Sequence, residues 1–146
     1  MLPVVMLCAG TSLHAQNLIP IPDTLSGNVI NLNIADSVHQ FYTGYNTNTI
    51  AYNGSYLGPT LLLNKGQQLT LNVNNQLSDT TTTHWHGLHV EPMNDGSPHT
   101  PIMAGATWSP MFTVMDQAAT YWYHPHLHGK TMDQVLKGAA GLIIVR

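Results

Sequence analysis

Two short stretches carry most of the imidazole in this chain. "THWHGLH" sets His84 and His86 on alternate positions with His89 just after, and "YWYHPHLHGK" does the same with His124, His126 and His128. On a β-strand alternate side chains share a face, and a rise of about 3.3 Å per residue puts such neighbours roughly 6.6 Å apart at Cα. His84 and His86 therefore point the same way. So do Trp122, His124 and His126, with Tyr121 and Tyr123 packed on the opposite face. If the two strands are neighbours, four imidazoles converge on one patch. Neutral imidazole is the commonest side-chain ligand for copper, zinc, iron and nickel, so the pattern names a metal site and leaves the metal open. His89 has the opposite parity to His84 and His86, and His128 precedes Gly129, where the strand turns, so neither joins the ligand set. His14, His39 and His99 have no partner in their stretches of sequence and carry no metal reading.

Such a patch needs strands to hold it, and the flanking sequence supplies them. In "VINLNI" the apolar residues are Ile30, Leu32 and Ile34, and in "QLTLNVN" they are Leu69, Leu71 and Val73, each alternating with polar neighbours. That period of two marks half-buried strands. Turn signals such as "YNGSYLGP", "NKGQ" and "NDGSP" separate them, and only "KTMDQVLK", Lys130 to Lys137, allows a helical turn or two. "GAAGLIIVR" reads as a small-residue entry into a last apolar strand. "TGYNTNTIAYNGSY" reads as a long, Asn-rich loop, and its Asn53 formally matches a glycosylation acceptor. The expected fold is all-β, an antiparallel two-sheet sandwich with Greek-key connections.

With 146 residues the chain suits one domain. Charged residues make up 8% against roughly 25% in an average soluble domain, which hints at surface meant to be covered. Its fixed cations are Lys65, Lys130, Lys137 and Arg146 within a net charge of −3, so the clustered basic footprint of a nucleic-acid binder is missing. The run from Leu2 to Ala9 is too short to span a bilayer, and with "LHA" before Gln16 it reads as a secretory signal over residues 1–15, leaving one domain over 16–146. A periplasmic or secreted location follows. Cys8, the single cysteine, would leave with the signal, which excludes disulfides and thiolate ligands from the mature chain.

"HWHGLHV" followed by "DGSP", and "YWYHPHLHGKTMDQVLKGAAGLIIV", resemble the first cupredoxin (plastocyanin-like) domain of bacterial multicopper oxidases, the laccase-like and periplasmic cuprous oxidase group. The similarity runs from about "NGSYLGPTLLLNKGQQLTLNVNNQL" to the end of the chain. The resemblance implies a cupredoxin-like sandwich and copper as the metal. It matches His84 to a ligand of the type 2 copper, and His86, His124 and His126 to ligands of the type 3 pair. Asp95 in "NDGSP" falls where the family carries an acidic residue that assists proton delivery, although an Asp before Gly also suits an ordinary turn. In the family a three-copper cluster between the first and last cupredoxin domains reduces O2 to water. This chain would supply half of that cluster, its partners being C-terminal cupredoxin domains of the same enzyme or of a second chain, and alone it is expected not to turn over.

Two other readings stay open. "HWHGLHVE" also fits the spacing of a cupin-type mononuclear site completed by Glu91, though that leaves "HPHLH" unexplained. A non-catalytic copper-binding module is the other, supported by seven methionines, of which Met93, Met103, Met111, Met115 and Met132 are scattered and read most simply as core or loop residues.

Overall fold

The computed structural model describes residues 21–146. The expected signal segment, Cys8 and His14 lie outside the described residues. Ten strands and one helix follow in order: β1 (Thr24–Ser26), β2 (Val29–Tyr42), β3 (Tyr45–Tyr52), β4 (Thr60–Leu63), β5 (Gln68–Asn75), β6 (His84–His86), β7 (Thr107–Trp108), β8 (Met111–Thr113), β9 (Ala119–His124), α1 (Thr131–Leu136) and β10 (Gly141–Val145). One sheet has the order β1-β4-β10-β9-β6, the other β3-β2-β5-β7, with β8 also on β5. The core lies between them. Ile30, Leu32 and Ile34 on β2 and Leu69, Leu71 and Val73 on β5 are all buried, as their alternation requires, and they meet Leu61, Leu63, Ile143 and Val145 from the other sheet.

The sandwich is not wholly antiparallel. β1 pairs with β4, β4 with β10, and β2 with β5 in parallel register. The chain changes sheet between β3 and β4 and again between β4 and β5, so these neighbours are joined by crossovers rather than hairpins. A period of two reports a buried face and is silent on the direction of the neighbouring strand. The Asn-rich stretch taken for a loop is mostly strand: β3 pairs antiparallel with β2, Ala51 opposite Ala35 and Asn48 opposite Val38. Its first four residues are exposed on both faces and its last four, Thr49 to Tyr52, are buried in succession, so no alternation marks it. Gly44, at φ +85°, turns the hairpin.

The last part of the chain holds to expectation. "KTMDQVLK" contains α1, and "GAAG" leads into β10. The small residues have a packing reason. A Cβ on Gly141 would lie 2.3 Å from the hydroxyl of Tyr123, a fully buried side chain that donates to the Pro59 carbonyl at 2.8 Å. No helix among the described residues is long and apolar enough to cross a membrane.

Candidate metal centre

β6 forms the edge of its sheet and pairs antiparallel with β9, His84 opposite His124 and His86 opposite Trp122. The parity of both strands is locked from behind. Trp85 and Tyr123 face each other across the same ladder and are fully buried, and Trp85 Nε1 donates to the Asn94 carbonyl at 2.9 Å. A slip of one residue would bury imidazole and expose tryptophan, so the burial of these two aromatics drives the histidines outward. His126 lies two residues beyond β9, where its backbone N–H donates to Thr82 Oγ1 at 2.6 Å. The His84 ring is then 5.7 Å from His86, 5.6 Å from His124 and 5.2 Å from His126, with His86 5.3 Å from His124 and His124 5.8 Å from His126, all between ring centroids.

Hydrogen bonds set the tautomers. His84 Nδ1–H donates to the Asp95 carbonyl at 2.9 Å, and His124 Nδ1–H to the Pro125 carbonyl at 2.7 Å, so both rings keep an Nε2 lone pair. His86 Nδ1 lies 3.1 Å from His124 Nε2. With the His124 proton on Nδ1, His86 Nδ1–H donates to His124 Nε2. Burial pushes the His124 imidazole down from 6.5 to about 4, with the nearby rings of His84, His86 and His126 acting in the same direction and its bond to Pro125 opposing them. It is held neutral, as a ligand must be. Trp122 stacks on His124 at 4.0 Å and tilts against His86 at 4.9 Å, fixing both rings from one side.

Asp95 reaches this group from the loop after β6. Its carboxylate Oδ1 is 3.2 Å from His84 Nδ1, and it is partly exposed. Gly96 explains how the loop comes so close: at φ +74°, a Cβ there would lie 1.7 Å from the Thr83 carbonyl oxygen. Only glycine allows the Asp-Gly turn to press on the strand entry.

The remaining sequence-stretch residues fall elsewhere. His89 turns away and pairs with Asp116, His128 is exposed on the turn before α1, and Glu91 lines a separate surface pocket with His89. The cupin-type arrangement thus lacks its carboxylate. His39 contacts Ser55 Oγ at 2.9 Å and the ring of Phe41, and His99 is exposed. Among the described residues no group of three or more His, Cys, Asp or Glu side chains is placed to hold one metal ion. Thr82, Asn94 and Asp116 were invisible to sequence reasoning, because each acts through a tertiary contact; only the broken parity of His89 hinted at a separate partner.

The donor set, four neighbouring imidazoles with His124 held neutral and the His84 and His124 tautomers set by hydrogen bonds, fits copper. The sequence model of the multicopper oxidase family matches residues 33–146. The chain belongs to that family. It is 43% identical over 106 residues to the multicopper oxidase mco of Staphylococcus aureus, a match covering 73% of this chain and 24% of that protein. The structure of the laccase-like multi-copper oxidase CueO from the lignin-degrading bacterium Ochrobactrum sp. superposes with a TM-score of 0.86 at 39% identity, covering 88% of this chain and 30% of that one. The cell division protein FtsP of Shigella dysenteriae is 30% identical over 97% of this chain and 32% of its own length. The chain therefore spans about a quarter to a third of the length of these relatives. The sandwich is cupredoxin-like, as in the multicopper oxidases it superposes on, and copper binding goes with the family.

Proposed function

We propose that this chain is the N-terminal copper-binding domain of a multicopper oxidase and supplies His84, His86, His124 and His126 as half of the ligands of a trinuclear copper cluster. His84 belongs to the type 2 copper in this reading, and His86, His124 and His126 to the type 3 pair. The observation that carries it is the convergence of the four rings on one face of β6 and β9, with two nitrogens 3.1 Å apart. Copper held there would supply the one-electron steps needed to reduce O2 to water. The protein's own part is to orient the rings, through Asp95 on His84 Nδ1, Pro125 on His124 Nδ1 and Trp122 against the ring faces, while burial keeps His124 neutral. Asp95 Oδ1 adjoins both solvent and His84, which suits it to take up a proton and pass it toward the site. The other ligands come from C-terminal cupredoxin domains, in the same enzyme or a partner chain, and the reducing substrate is phenol-like or Cu(I). A periplasmic or secreted location belongs to the same proposal and rests on the apolar N-terminal stretch.

Copper titration of the chain tests this reading. Cu(II) should bind with ordinary EPR signals and no blue thiolate band, and binding should fall when His86 or His124 becomes alanine. Undiminished binding in both variants would refute it. The likeness to the cell division protein FtsP over nearly the whole chain favours a second reading, a role in cell division that does not use copper. It leaves the four oriented imidazoles without a role, and a chain that binds no copper would restore it.

A further inference from the structure

Three consecutive threonines, Thr81, Thr82 and Thr83, lead into β6, and all three are completely buried. Extended chain with one open face would expose every second residue, so this segment is covered from both sides. Each buried hydroxyl needs a partner, and each finds it on a different element. Thr81 Oγ1 donates at 2.9 Å to Oε1 of Gln134, itself a buried side chain of α1. Thr83 Oγ1 lies 2.9 Å from the hydroxyl of Tyr52 at the end of β3. Thr82 Oγ1 accepts the backbone N–H of His126 at 2.6 Å.

The Thr82 contact stands where strand pairing has stopped. β6 and β9 pair as far as His84 opposite His124, and the same register carried on by two residues sets Thr82 opposite His126. Pro125, which has no N–H to donate, follows the last residue of β9. A hydroxyl therefore does for His126 what a strand carbonyl does inside the ladder. Hydrogen bonds also reach the rings of His84, His86 and His124 through Nδ1. Among the described residues none reaches the ring of His126, which is exposed, so the backbone tether is what places it. We propose that Thr82 is a positioning residue of the copper half-site, its hydroxyl holding His126 beside the other three imidazoles while Thr81 and Thr83 pin the segment to α1 and β3. The copper in this role is that of the four-histidine reading; the tether itself is present without metal.

Two variants of the full chain separate the hydroxyl from its bulk. Thr82→Val matches the shape and cannot accept the His126 N–H, whereas Thr82→Ser keeps the acceptor. In the metal-free chain the His126 amide should exchange with solvent more slowly than that of His128, lose its protection in Thr82→Val and regain it in Thr82→Ser. Anaerobic Cu(I), which is diamagnetic, is then titrated into each chain with ¹⁵N-labelled histidine, so that ring shifts report coordination one imidazole at a time. His126 should respond with His86 and His124 in the unaltered and Thr82→Ser chains, and in Thr82→Val it should need about tenfold more copper while the other two respond as before. A His126 amide exchanging as fast as that of His128 in the unaltered chain would remove the tether, whatever the variants do. Thr82→Val weakening every ring alike, or leaving His126 undisturbed, would overturn the positioning role with the four-histidine reading intact. A chain in which no ring responds to copper would overturn that reading and the role of Thr82 together.

Discussion

His86 Nδ1 and His124 Nε2 face each other at 3.1 Å across the antiparallel ladder of β6 and β9, while His84, directly opposite His124 in that ladder, turns its Nδ1 to Asp95 instead. One histidine of the HxH pair therefore contacts an imidazole of the neighbouring strand through Nδ1, and the other directs its Nδ1 to the loop after β6.

That divergence predicts different copper losses. In the assembled oxidase, His84→Ala should empty mainly the type 2 site and leave the coupled pair EPR-silent, whereas His86→Ala, His124→Ala or His126→Ala should disturb the pair. EPR with copper counting checks it. Loss of the same copper in His84→Ala and His86→Ala would mean that the two chelate one ion.

Asp95 touches His84 through both its carbonyl and its carboxylate. Asp95→Asn keeps the carbonyl acceptor and removes the titratable group. Copper content should stay while O2 reduction slows and its pH profile changes. Copper loss in this variant would instead make the carboxylate part of the binding itself.

Gly96 offers a structural check on the same loop. Gly96→Ala combines a left-handed φ with a collision against the Thr83 carbonyl, so a loss of at least about 2 kcal/mol of stability is expected. The loop should lift from β6, and copper affinity at His84 should fall with it. Thermal unfolding together with copper titration measures both effects.

The depressed His124 predicts how the copper-free chain responds to acid. Its imidazole titrates at about 4 folded against 6.5 unfolded, so the unfolded state binds the extra proton between those values. The stabilising contribution is complete above about pH 6.5 and is lost as pH falls toward 4. Denaturant unfolding at a series of pH values should show this loss, and His124→Gln should remove that part of the pH dependence.

Which residues share a face, and where the imidazoles concentrate, can be read from the chain alone. Alternation needs only the two-residue repeat of a strand, so the buried Ile30, Leu32 and Ile34 and the shared face of His84 and His86 follow from local geometry alone. Sequence also assigns α1 and the small-residue approach to β10, because helical period and side-chain size are local too. Strand direction was another matter: β2 and β5 run parallel through a crossover that no residue between them encodes. β3 was hidden because its burial depends on what covers each half, not on its own pattern. At the site, it is folding that brings Asp95 to His84 and Asp116 to His89, partners 11 and 27 residues apart in sequence. Ligand type is written in single residues, but tautomer, neutrality and focus arise from atoms that folding brings within about 3 Å of one another.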